Sequence, residues 1–283
     1  MTESTFQDTA IRQVSAYWNK RPCNIRHSAK PVGTREYFDE VEQRKYLVEY
    51  HIPGFAQFER WNGKRVLEIG CGIGTDTINF ARAGAQVTAI DLTENSLEVA
   101  RMRAKIFGLD NRIQFLQADA ENLSDYVPIE KYDLVYSFGV IHHTPHPERV
   151  LEQIRHYLKP DSTIKIMVYN KWSWKVLWIL CTYGKGRFWK MERLIADYSE
   201  AQTGCPVTYS YSRSLARKLM EDRGFAVTEL AVEHIFPYRI SEYVQYRYKK
   251  MWYFRFLPRS LFRFLERTLG WHLCLTARPL ESA

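Results

Sequence analysis

One stretch, VLEIGCGIGT at residues 66–75, constrains the possible folds more than any other. An apolar run passes directly into Gly70, Gly72 and Gly74, and a glycine cluster in that place turns a strand tightly into a helix beneath a nucleotide. A dinucleotide site would need its third glycine where Thr75 stands. Here the glycines alternate as G-x-G-x-G instead. Glu68 sits inside the strand just before the turn. Its carboxylate gains an NAD site little, but it suits a ligand that carries an ammonium and a sulfonium.

From Arg65 to Lys165 the pattern alternates between strand and helix, which predicts a parallel sheet with helices on both faces. RVLEIG, QVTAID, RIQFLQAD, YDLVYSFG and TIKIMVY read as strands. TDTINFARAG, ENSLEVARMRAKIFG and PERVLEQIRHYLKP read as the helices between them, the last stopped by Pro160. SLARKLMEDRGF follows as a helix with Gly224 as its C-cap, leading into the strand AVTELAVEHI, and WHLCLTARP is a last strand. Four chemically distinctive stations fall at the carboxyl ends of parallel strands, where an open α/β sheet receives its ligand. They are the glycine loop, Asp91-Leu92, Asp119-Ala120 and Ser137-Phe138. A carboxylate at Asp91 can accept both hydroxyls of a ribose. One at Asp119 can receive an adenine amino group, with the small Ala120 leaving room for the ring.

With these stations in order, the sequence resembles the class I S-adenosylmethionine-dependent methyltransferases, of the small-molecule kind that includes enzymes of quinone biosynthesis. VLEIGCGIG, AIDLTENSL, QADAENL and YDLVYSFGVIHHTPHP are similar to that family's first four motifs, over roughly residues 62–170. The resemblance implies an α/β Rossmann-like sheet, mostly parallel with an antiparallel last strand, helices on both faces, and helical cap insertions. It implies S-adenosyl-L-methionine as cofactor and S-adenosyl-L-homocysteine as product. Glu68, Gly70, Cys71, Gly72, Gly74, Asp91, Leu92, Asp119, Ala120, Ser137 and Phe138 are then the expected cofactor residues. The segments divide as an amino-terminal lid (1–60), the cofactor-binding core (61–170), an aromatic and basic cap insertion (171–210), a core continuation (211–234), a basic aromatic helical insertion (235–270), and the last strand and tail (271–283).

A sulfonium methyl is already activated, so the protein chiefly aligns a nucleophile, and a base is needed only where that nucleophile must lose a proton. His143, just past the fourth strand, can deprotonate a hydroxyl, since imidazole titrates near neutrality. The alternative is that His142 and His143 merely shape the pocket or cap the next helix. Tyr17, in the amino-terminal segment, is the second catalytic candidate; its rival role is surface packing. His142, Arg21, Tyr209, Tyr211 and Tyr238 are the candidate acceptor contacts. No metal is expected: no acid or cysteine near His142, His143 and His146 completes a ligand set.

The chain has 283 residues, 46% of them apolar and 25% charged, which suits one large globular domain with insertions. No basic-then-apolar leader and no run of about 20 apolar residues is visible. Five scattered cysteines without C-x-x-C spacing fit a reduced, cytoplasmic setting. The net charge is +8, and most of the surplus is local: residues 235–270 hold eight basic side chains against Glu242 and Glu266. Residues 171–191 add five more bases and no acid. These aromatic, basic insertions have three readings: a cap over the acceptor, peripheral contact with an anionic membrane, or a groove for single-stranded nucleic acid. Ser137-Phe138-Gly139-Val140 disfavours the last, because enzymes that methylate base amines resemble one another in an Asn/Asp-Pro-Pro-aromatic stretch there. The expected activity is methyl transfer to O, N or C of a small, apolar or aromatic acceptor, including a lipid-like one. The rival from another class is a non-catalytic cofactor-binding or membrane-associated scaffold. After Pro258, Leu261, Phe262, Leu265 and Leu269 are expected on the apolar face of a helix, and Arg259, Arg263, Glu266 and Arg267 on the polar one.

Overall fold

A computed structural model describes residues 6–200 and 204–280. The expectations for the start of the lid (1–5), for 201–203 and for the tail (281–283) lie outside the described residues. Seven strands form one sheet: β1 Arg65–Ile69, β2 Gln86–Asp91, β3 Ile113–Gln117, β4 Tyr132–Phe138, β5 Leu158–Tyr169, β6 Phe225–Glu233 and β7 His272–Pro279. Their spatial order is β3-β2-β1-β4-β5-β7-β6. The first five are parallel to one another, and β7 runs antiparallel between β5 and β6.

Successive side chains of β1 point to opposite faces, and both faces are covered. Leu67 and Ile69 join a core with Val150, Leu151 and Ile154 of helix Pro147–Arg155 and Ala216 and Met220 of helix Arg213–Glu221. Val66 joins another with Ile78 of helix Thr75–Arg82 and Leu97 of helix Glu94–Phe107. That two-sided burial is why β1 carries apolar side chains on both faces, with Glu68 as the exception, rather than alternating apolar with polar ones. The strand order reverses between β1 and β4, and at such a switch point the carboxyl ends open a crevice.

The glycine loop depends on its glycines for space as well as for backbone angle. Gly70 has φ +77°, and a Cβ there would overlap the side chain of Val140. Gly70→Ala should therefore destabilise the fold by about 2–4 kcal/mol, from backbone strain plus overpacking. An unchanged urea midpoint would refute this.

Three local expectations need correction. Helix Pro147–Arg155 ends before Pro160, and β5 already starts at Leu158. The residues between are absorbed by a register shift in which Lys159 N donates to Ser162 Oγ (2.7 Å) and that hydroxyl donates to the Tyr132 carbonyl (2.6 Å). The helix before β6 stops at Glu221 with Asp222 as its C-cap, so Gly224 serves the following turn at φ +79°. Helix Arg259–Leu269 packs on β6 with Glu266 inward, only 1% exposed, while Leu261 and Phe264 face solvent. The inward acid is matched: it accepts from Tyr50 Oη and from Arg263 Nη1. Arg263 therefore does not belong to a free polar face.

Candidate functional site

A cavity of about 970 Å³ opens at the carboxyl ends of β1, β2, β4 and β5. The amino-terminal segment roofs it through Tyr17, Trp18 and Arg21, and the insertions close it through Trp174, Trp178, Phe236 and Tyr243. The glycine loop forms its floor. Gly70 N and Cys71 N donate to the Ile90 carbonyl (2.8 and 2.9 Å), and Gly72 N donates to Asp91 Oδ2 (2.9 Å). Asp91 Oδ1 accepts from Thr93 N (2.9 Å) and Thr93 Oγ1 (2.8 Å). Burial raises the carboxyl pKa of Asp91, and the hydrogen bonds from Thr93 and Gly72 oppose that shift. Asp119 is held in the same way, accepting from Glu121 N (3.0 Å) and Asn122 Nδ2 (2.9 Å).

Of the residues expected at the cofactor, Gly70, Cys71, Gly72, Asp91, Leu92, Asp119, Ala120 and Phe138 line this cavity. Glu68, Gly74 and Ser137 do not. Glu68 lies beneath the loop, accepting from Thr77 Oγ1 at 2.5 Å, and burial together with nearby Asp76 pushes its pKa up to about 8. Asp76 in turn accepts from Lys45 Nζ (2.7 Å) and from the Tyr136 hydroxyl (2.9 Å). Glu68 thus supports the floor through a buried polar network rather than facing the cavity. Cys71 is a filler whose thiol pKa burial pushes well up, which leaves it a poor nucleophile.

His143 is on the cavity wall and 4% exposed. Its Nδ1 lies 2.8 Å from the Val207 carbonyl, a contact that requires a proton on Nδ1. Nε2 is then the basic nitrogen, and it is buried without a hydrogen-bond partner among the described residues. Burial alone would lower the imidazole pKa; the charge and hydrogen bond of Cys205, with Glu200 and the Val207 carbonyl, raise it, and the net shift is upward. Trp18 packs edge-on to the ring at 5.1 Å. Tyr17 and Arg21 also reach the wall.

The other acceptor candidates are corrected. His142 is fully buried between Tyr169 and His143, at ring distances of 3.8 and 4.2 Å, and is not on the wall. Tyr209 packs on Phe6 and donates to the Pro145 carbonyl, and Tyr211 N bonds to the Tyr169 carbonyl as the chain runs beside the end of β5. Tyr238 stacks among Phe236, Tyr243 and Tyr248. None of these tyrosines lines the cavity. Aromatic richness alone does not show which way a ring faces.

The end of the cavity toward β6 and β7 carries groups that sequence spacing could not bring together. Glu49, His234 and His272 are on its wall, and His51 touches His272 through Nε2 to Nδ1 at 3.1 Å. Burial keeps all three imidazoles below their usual pKa, His51 at about 4, and raises Glu49 to about 7. Arg44, 4% exposed, stacks over Tyr243 at 3.9 Å and Tyr246 at 4.4 Å.

Comparisons with known proteins bear on the family and the fold. Residues 61–224 match the family model described as a methyltransferase domain. The ubiquinone biosynthesis O-methyltransferase of Aeromonas salmonicida is 37% identical over 109 residues, covering 38% of this chain and 44% of that protein. That of Idiomarina loihiensis is 36% identical over 125 residues, covering 44% and 48%. The chain thus spans about half the length of the curated relatives it matches. Among solved structures, magnesium protoporphyrin IX methyltransferase from Synechocystis with bound SAH superposes with a TM-score of 0.58 at 16% identity, over 95% of this chain and 100% of that one. An S-adenosylmethionine-dependent methyltransferase from Mesorhizobium loti gives 0.55 at 19% identity, over 81% and 97%. At such identities the likeness is one of fold. With the family match extending over more than half of the sequence, the chain belongs to the class I S-adenosylmethionine-dependent methyltransferases.

Proposed function

We propose that this protein methylates a phenolic hydroxyl on a small aromatic acceptor that carries an apolar tail. The observation that carries the reading is His143: a buried imidazole on the cavity wall, its Nδ1 proton fixed by a backbone carbonyl and its Nε2 unpartnered among the described residues. A hydroxyl must lose a proton to become a good nucleophile, and a base held in one tautomer is suited to take it. The partial likeness to the quinone-pathway O-methyltransferases supports the same chemistry.

The residues present fit the family's cofactor. Around Gly72 the position a Cβ would take is open space, so a ligand can lie against the backbone there. Asp91 keeps acceptor capacity, chiefly on Oδ2, beyond its three internal bonds and would receive the ribose hydroxyls, with Asp119 and Ala120 beside the adenine. When bound, S-adenosylmethionine supplies a methyl group activated on sulfonium. About 970 Å³ lies at the upper end of the roughly 300–1,000 Å³ usual for ligand sites, which leaves room for a second molecule. Residues 1–60 and the two insertions would act as lid and cap, excluding water while His143 takes the proton.

The test is label transfer from methyl-labelled cofactor to a panel comprising a prenylated phenol, an aromatic amine, a carboxylic acid and an oligonucleotide. Label on the phenolic oxygen is the expected result. Label confined to the amine, the acid or the oligonucleotide would overturn it, as would cofactor binding with no label transferred to any of them.

An apolar acceptor also gives the exposed aromatics of the insertions a use. Trp189 is 79% exposed, Trp252 69% and Phe256 78%, and the Arg255 guanidinium lies 5.7 Å from the Phe256 ring. No described helix is long and apolar enough to cross a membrane, so the proposed contact is peripheral. Because Arg263 is bound to Glu266, charge reversal belongs at Arg255, Arg259 and Arg267. Each base near an anionic surface contributes about 1 kcal/mol, so the triple reversal should weaken co-sedimentation with anionic vesicles by on the order of 10²-fold or more. A wild-type protein that ignores such vesicles at low salt has no membrane role.

A further inference from the structure

The end of the cavity away from Asp91 gathers groups for which methyl transfer has no stated use. Glu49 follows helix Arg35–Val48, His234 follows β6 and His272 opens β7. One ligand atom from each can be chosen so that all three lie within 4.8 Å of one another. His272 Nε2 is 3.8 Å from Glu49 Oε1. A tetrahedral site with bonds of about 2.0–2.1 Å spaces its ligand atoms by about 3.4 Å, so small side-chain rotations would close the set.

Independent features point the same way. His234 sits at φ +70°, a region bulky side chains rarely adopt, and this backbone is clamped by Trp271 N donating to its carbonyl at 2.7 Å. Its Nδ1 is buried without a hydrogen-bond partner among the described residues. Among those residues no lysine or arginine bridges Glu49; Lys45 is taken by Asp76 at 2.7 Å, and Lys175 lies over the Trp271 ring at 4.7 Å. His51 Nε2, 3.1 Å from His272 Nδ1, is placed as the outer partner that orients a ligating imidazole.

We propose that Glu49, His234 and His272 form a divalent transition-metal site on the cavity wall, with a coordination position left open toward the cavity. Two imidazoles and one carboxylate suit zinc, iron or manganese better than magnesium, and three protein ligands leave room for an oxygen donor. On the phenolic-acceptor reading, that donor is an oxygen of the acceptor, which the metal would orient toward His143. The metal site itself does not depend on that reading.

Purified protein stripped with chelator and titrated with Co²⁺ tests this, read by the visible ligand-field absorption of the bound ion and by competition with Zn²⁺. One equivalent is expected to bind. Glu49→Gln and His234→Gln should each weaken it by more than the about 10–100-fold that loss of an outer partner costs. Cys23→Ser, which changes a thiol on the same cavity wall, should leave it unchanged. Unaltered S-adenosylhomocysteine affinity in both ligand variants shows that they are folded. If one of them fails that check, the other and the wild type decide. Absence of a Co²⁺ band in the wild type, or a band that both variants retain, would overturn the proposal.

Discussion

His143→Ala should lower kcat by about 10²–10⁴-fold while KM changes little, because on the proposed reading the variant loses proton transfer and keeps the cavity wall. His143→Gln should not rescue activity, since an amide cannot accept the proton. The imidazole pKa is shifted upward, so the base is protonated and idle below its folded pKa. The kcat should therefore rise with pH through a value above the ordinary 6.5 of histidine and then level off. The rise should vanish in the alanine variant. A loss of less than threefold, or the same pH limb in both proteins, would make His143 a wall residue only.

Asp91→Ala should weaken S-adenosylmethionine binding by on the order of 10²-fold or more, measured by titration calorimetry. Two hydrogen bonds from ribose hydroxyls to a carboxylate are each worth about 1.5–3 kcal/mol, and every 1.4 kcal/mol is tenfold. The variant also frees Gly72 N and the Thr93 pair, so the loop floor loosens. Asp91→Asn separates the two effects. It keeps one acceptor oxygen and should fall between wild type and alanine. Affinity unchanged in both variants would remove Asp91 from the ribose.

The parts of this site that were legible in the sequence are those whose position is set by chain neighbours. A strand followed by G-x-G-x-G can turn in few ways, and residues at strand ends such as Asp91 and Asp119 reach the crevice whatever the loops do. His143 was legible for the same reason, being five residues past Phe138 at the end of β4. Glu68 lies off the cavity wall because its carboxylate is covered by the next helix, where the Thr77 hydroxyl donates to it, and alternation along a strand does not reveal that. Tyr209, Tyr211 and Tyr238 lie off the cavity wall because their facing is decided by packing against distant segments. Glu266 is the converse case: Arg263 and Tyr50 let an acid occupy an inward position that helical periodicity assigns to solvent. Glu49, His234 and His272 are far apart in the chain: the sheet brings the two histidines together, where β7 pairs Glu233 with His272, and Glu49 comes from the end of helix Arg35–Val48.

A crystal structure of the protein with S-adenosylhomocysteine tests the central claim most directly. The ribose hydroxyls should lie on Asp91, the adenine beside Asp119 and Ala120, and the sulfur on the side of the cavity where His143 stands. A nucleoside seated against His51, His234 and His272, or with its sulfur turned away from His143, would contradict the account.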